Sequence, residues 1–167
     1  MTGVQTCALP IYAERYTFAH ALVQHALTSE LSPARRARLH RSIADVIERE
    51  PGAARRSAEL ATHLLAAGRP EDRVRAVPYA VRAGEEAVEA LAPADAIGWF
   101  ARALDSLGPD ADRATRCELE IRLGDAERRA DDTAYLARLL SAAGEARAIG
   151  RDDLVVAAAL ARYRGFQ

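Results

Sequence analysis

From Phe18 onward apolar side chains recur at three- and four-residue intervals. Ala19, Leu22, Val23, Ala26 and Leu27 form the stripe of a helix with one buried face. Ser32-Pro33 restarts the chain with an N-cap followed by proline at the first helical position. Leu39, Ile43, Val46 and Ile47 give this second helix its apolar residues before Pro51-Gly52 stops it. Leu60, Ala61, Leu64 and Leu65 define a third, closed by Gly68 and reinforced by Pro70. A fourth is expected over roughly Val77 to Ala90, its start left open by Pro78, which disfavours helical geometry at the residue before it. The fifth opens at Pro93, turns Ala96, Ile97, Phe100, Ala103, Leu104 and Leu107 inward, and closes at Gly108-Pro109. Three more are expected at Ala114 to Ala130, Thr133 to Ile149 with Gly150 as cap, and Asp152 to Tyr163. No segment alternates like a strand and no hairpin turn pair occurs, so β structure should be minimal beyond a short piece near Tyr16-Thr17-Phe18.

Short helices of similar length, punctuated by proline or glycine, are the signature of helix-hairpin repeats. The clearest unit is Val77 to Asp110. Gly84 takes the small position of its first helix, Ala96 and Ala103 the small positions of its second, and Phe100 the aromatic slot between them. These spacings match the tetratricopeptide repeat of about 34 residues. Small residues let paired helices approach closely, and the aromatic fills the hole between adjacent hairpins. Ala80 and Ala87 stand where that repeat has aromatics, so the copy is degenerate. A second copy begins near Cys117, with Leu123-Gly124 repeating the small-residue signal, and drifts out of register after Ala130. The expected architecture is all-α: antiparallel helix hairpins stacked as a tetratricopeptide-like right-handed solenoid of about eight helices. An ordinary helical bundle is the alternative.

Composition narrows the picture. The chain has 167 residues, half of them apolar, enough to bury a core. All 23 basic residues are arginine, and asparagine is absent, the footprint of GC-rich coding. A formal net charge of −1 supplies no overall basic field for nucleic acid or an anionic membrane. The apolar run from Leu154 to Ala161 is far short of the roughly 20 residues of a membrane span. Cys7 and Cys117 give neither a disulfide framework nor paired metal-ligand spacing, which fits a reducing cytoplasm. Residues 1–11 look like the translation of a sequencing adapter and are expected to lie outside the fold, leaving Cys7 without a role. The final helix carries Leu154, Val155, Val156, Leu160 and Tyr163 on more than one side, as if its partner had been cut away, and an exposed apolar patch is expected there.

The blocks Tyr16-Thr-Phe-Ala-His20-Ala-Leu-Val-Gln-His25 and Leu31-Ser-Pro-Ala-Arg35-Arg36-Ala-Arg38-Leu39-His40 resemble a recurrent element of large bacterial multidomain ATPases. These are the LuxR-type transcriptional regulators and the cyclase-associated AAA-type ATPases. Ala58-Glu-Leu-Ala-Thr-His63-Leu-Leu-Ala-Ala-Gly68 and Ala76-Val-Pro-Tyr-Ala-Val-Arg-Ala-Gly84 are similar to the same family in the same order. The resemblance covers most of residues 12–167. It implies that residues 12–50 are the helical end of an ATPase or winged-helix-like element and that 51–167 are tetratricopeptide-like repeats. It also implies a cytoplasmic scaffold or sensor arm, taking a protein or small effector on its repeat surface and contacting the other domains of its parent. ATP or ADP is implied for that parent. The segment itself has no lysine and therefore no phosphate-binding loop, so no cofactor and no catalysis are expected of it.

In related ATPases a histidine of the winged-helix element contacts the nucleotide phosphate, which makes His20 the candidate for that contact. The competing reading packs His20 beside Leu22 and Val23. His20 and His25 lie about 140° apart round a helix and make no metal pair. His40 and His63 read as interfacial polar residues, and no metal site is expected. Arg35, Arg36, Arg38, His40 and Arg41 form a basic surface. It supports an alternative function in nucleic-acid binding, although pairing with Asp45 and Glu48 is the favoured reading. Glu85-Glu86 and Asp131-Asp132 sit at caps or on polar faces, without a pocket that would make them acid–base pairs. Trp99 either lines a groove or seals a helix junction, and the latter is preferred.

Overall fold

The computed structural model describes residues 8–12, 15–18 and 30–163. Its body is all-α, with seven helices. These are α1 (Pro33–Arg49), α2 (Ser57–Ala67), α3 (Pro70–Glu89), α4 (Pro93–Ser106), α5 (Arg113–Arg129), α6 (Tyr135–Ala148) and α7 (Asp152–Tyr163). A 3₁₀ turn, Ala53–Arg56, precedes α2. Of the helix expected from Phe18 to Leu27, Phe18 instead ends a strand, and residues 19–27, His20 and His25 among them, lie outside the described residues. Two short strands, β1 (Ala8–Tyr12) and β2 (Arg15–Phe18), pair antiparallel with Leu9 opposite Thr17 and Pro10 opposite Tyr16. β2 covers the anticipated short β piece. The hairpin it forms with β1 is a correction, since no Asn-Gly or similar turn pair announces it.

Local chemistry sets the helix ends. The Ser32 hydroxyl accepts the Arg35 amide at 3.4 Å and Pro33 occupies the first turn of α1. Asp112 caps α5 by accepting the Thr115 amide at 3.2 Å. Gly68 and Gly150 adopt the left-handed conformation just past α2 and α6, as their positions foretold. The start of α3 is the principal correction: it begins at Pro70, and Pro78 lies inside it. Tertiary contacts override the local preference, because Asp72 and Ala76, in the turns before Pro78, are fully buried against α1 and α2.

Helices follow one another in contact, each packed on the next, and α5 also touches α7. The core is a succession of clusters rather than a single centre. Ala44, Ile47, Leu60, Leu64 and Ala76 join α1, α2 and α3. Ala61, Ala80, Ala103 and Leu119 carry the core into α5. Phe100 with Leu123 and Ala126 joins α4 to α5, and Leu139, Leu154 and Ala158 close the far end. Trp99 packs on the second of these clusters with the Arg102 guanidinium 4.8 Å from its ring, so it seals a junction.

The small-residue signal has a direct structural meaning. A Cβ on Gly84 would stand 2.5 to 2.8 Å from the Phe100 ring, and one on Gly124 would stand 2.7 Å from Leu139. α3 and α5 can therefore accept a large side chain against bare backbone. Gly124 lies forty positions after Gly84. The helix ends recur at the same spacing, with left-handed Leu91 and Asp131 and with backbone hydrogen bonds donated by the Ala92 amide to the Ala87 carbonyl (2.9 Å) and by the Asp132 amide to the Glu127 carbonyl (3.0 Å). These features recur at forty residues, against the roughly 34 of the repeat unit expected from the sequence.

Candidate functional site

Three alternate helices, α3, α5 and α7, border a groove of about 590 Å³. Its floor is apolar: Val88, Phe100, Ile121, Leu154, Ala157 and Ala161. Four carboxylates, Glu85, Glu89, Glu118 and Asp125, and two arginines, Arg122 and Arg129, form its walls. Most of these charges are already matched. Arg122 bridges α5 to Glu85 of α3 at 2.5 Å, Asp125 accepts from Arg128 and Arg129 at 2.9 Å each, and Arg151 lies 3.5 Å from Glu118. Glu89 is exposed and has no ion-pair partner among the described residues. The arrangement offers an apolar strip between charged walls, suited to an apolar side chain flanked by polar groups. It offers no nucleophile with an adjacent base.

Three members of the two candidate carboxylate pairs, Glu85, Glu86 and Asp132, have partners within the fold. Glu85 belongs to the groove wall, and Glu86 accepts hydrogen bonds from the Ser57 hydroxyl (2.6 Å) and Arg82 (3.1 Å). Asp132 accepts the Ala134 amide at 2.9 Å in the turn before α6, whose N-cap residue is Ala134. Cys117 is buried beneath a second hollow between α5 and α6, where its thiol donates to the Ala142 carbonyl at 3.2 Å. Burial pushes that thiol above its ordinary pKa, keeping it protonated and unreactive.

The basic run on α1 is rearranged relative to expectation. Arg35, Arg36 and Arg38 are exposed, but Arg41 turns onto α3, where its Nε donates to Asp72 at 2.8 Å. Asp45 and Glu48 are not its partners: Arg75 of α3 takes both, at 2.8 and 2.7 Å. Arg41, Asp45 and Glu48 share one helical face, and that face meets α3, so the partners come from across the interface. Arg75 also reaches Asp72 at 3.3 Å, and the Tyr79 hydroxyl donates to Glu48 at 3.0 Å. Hydrogen bonds to Asp45 and Glu48 raise the Arg75 pKa further, and burial followed by the Glu48 contact raises that of Tyr79. Sequence reasoning missed Asp72 and Arg75. An aspartate in the first turn after Pro70 reads as a dipole-compensating surface residue, and nothing local announces that it is 1% exposed.

His40 and His63 are brought together across α1 and α2, with their Nδ1 atoms 2.8 Å apart and ring centroids at 5.0 Å. Both were singled out as interfacial residues, and both are. Their direct pairing, over 23 positions of sequence, had no local signal. Among the described residues no group of three or more His, Cys, Asp or Glu is placed to hold a metal ion. Nor, among them, is any helix long and apolar enough to cross a membrane. No family model, curated protein or solved structure matches the chain.

Proposed function

We propose that this chain is a non-catalytic scaffold or sensor segment of an ATP-dependent bacterial signalling or transcriptional regulator, and that it binds a protein or small effector in the α3/α5/α7 groove. The observation that carries the binding reading is the groove itself, an apolar floor walled by charge and lined by residues of α3, α4, α5 and α7. The recurrence of glycine-against-large-side-chain contacts at Gly84 and Gly124, the repeated helix ends, and the succession of small core clusters support stacked antiparallel hairpins in a tetratricopeptide-like solenoid. Stacked repeats produce extended surfaces of this kind. The ATP-dependent parent rests on the sequence resemblance of residues 16–40, 58–68 and 76–84.

Site-specific photo-crosslinking in a bacterial host tests the binding reading. A crosslinking side chain at Val88 or Ala157 should give a discrete adduct, and one at exposed Arg147 should not. Equal adducts at all three positions, or none in the groove, would refute it. The non-catalytic reading is tested separately. Purified protein should show neither saturable ATP hydrolysis nor tight ATP binding, and either would overturn it.

A further inference from the structure

The His40–His63 contact has a chemical requirement that the rest of the α1–α2 interface lacks. Two Nδ1 atoms at 2.8 Å form a hydrogen bond only if one carries the proton and the other offers its lone pair, so at least one imidazole is neutral. A second proton removes the acceptor and sets two cations face to face in a half-buried seam. We propose that this pair is a pH-sensitive latch joining α1 to the helices that follow.

The surrounding charges offset this only in part. On α1, Arg36 lies one turn before His40, and Arg41 beside it is committed to Asp72 of α3. Asp72 is shared with Arg75. Across the seam Arg56 hydrogen-bonds Glu59 at 2.7 Å, and the two act on His63 in opposite senses. Burial, then the proximity of His40, lowers the His63 pKa. A histidine with a folded-state pKa below its unfolded value stabilises the closed state fully above the ordinary value of about 6.5. That contribution is lost as pH falls below it. The latch is closed at neutral pH and opens on mild acidification, loosening α1 from Leu60, Leu64 and Ala76.

Hydrogen exchange of the whole chain, in chelator and corrected for intrinsic rates, measures the opening. Between about pH 7.5 and about pH 5.5, protection of the α1 and α2 amides should fall while that of α5 to α7 stays constant. With an ordinary value of about 6.5, uptake of one proton on opening should make the fall approach about tenfold at about pH 5.5. His63→Gln and, independently, His40→Gln should abolish the pH dependence, and the His63 imidazole should titrate in wild-type NMR spectra below the ordinary histidine value. The proposal is overturned if the folded glutamine variants keep the wild-type pH dependence. Titration of the His63 ring at or above the ordinary value, in the wild-type protein, would also overturn it.

Discussion

Two of the joints between helices that are not sequence neighbours are made of opposite materials. α1 meets α3 through charge: Arg41, Asp72, Arg75, Asp45 and Glu48, with the Tyr79 hydroxyl at the edge. α5 meets α7 largely through apolar contact: Cys117 and Ile121 with Leu154, Ala158 and Ala161, and one long Arg151–Glu118 pair at its margin. The same arrangement of alternate helices is thus held once by directional bonds with fixed partners and once by packing with none. A charged joint specifies register, because each donor must find its acceptor, whereas an apolar joint tolerates sliding as long as area stays covered.

The largest expected effect lies in the apolar joint. Leu154→Ala should cost about 2–5 kcal/mol, seen as a lower melting temperature with early loss of α7 protection. Preserved stability would mean that α6 alone holds α7. Asp72→Ala comes next, at about 3 kcal/mol, since it strips a buried acceptor from Arg41 and Arg75 together. Asp72→Asn should restore only part of this, because the amide lacks the charge. If Asn equals Asp, the joint is steric rather than electrostatic.

Two glycine substitutions separate packing from backbone preference. Gly84→Ala pushes a methyl group into the Phe100 ring and should destabilise by about 1–3 kcal/mol despite the better helix former. Gly98→Ala, on α4 with nothing within 4 Å of the new Cβ, should stabilise by up to about 1 kcal/mol. Equal outcomes in a denaturant titration would show that the α3–α4 contact is not tight. The smallest effect is that of salt. Raising ionic strength to about 1 M shortens the screening length to about 3 Å and should cost the α1–α3 joint up to about 1 kcal/mol. The α5–α7 joint should be unaffected or strengthened. Protection of α1 and α7 compared in the same exchange experiment makes that distinction.

Helix ends and the glycine contacts were legible because they are governed by nearby chemistry. Ser32-Pro33, Gly68, Pro93 and Gly150 each act within one turn of themselves, and a glycine at Gly84 sixteen positions before Phe100 fits a hairpin contact. The joints were not legible. Asp72 and Arg75 sit in a stretch whose local signals are a proline, two acids and two arginines, and only the approach of α1 turns that surface pattern inward. Pro78 misled for the same reason: its local cost is real, but burial of Ala76 and Asp72 outweighs it. The exposed stripes run the other way. Leu39, Ile43 and Val46 on α1 look like core, yet they are 41–55% exposed, and Ile47 alone of that set is buried. On α7 the anticipated patch is present as Val156, Leu160 and Tyr163, whereas Leu154 is buried. The groove was legible only as helices, since its lining comes from four of them.

Pro78 also divides α3 by ownership. The turns before it carry Asp72 and Arg75, which belong to the charged joint, and the turns after it carry Gly84, Glu85 and Val88, which belong to the Phe100 contact and the groove. Lacking an amide hydrogen, Pro78 leaves the carbonyl of Val74 without its rung, and a helix flexes most readily where a rung is missing. Mechanically, α3 is therefore a jointed lever rather than a rod: a tilt imposed on its first half by α1 is absorbed in part at residue 78, and only the remainder arrives at the groove wall.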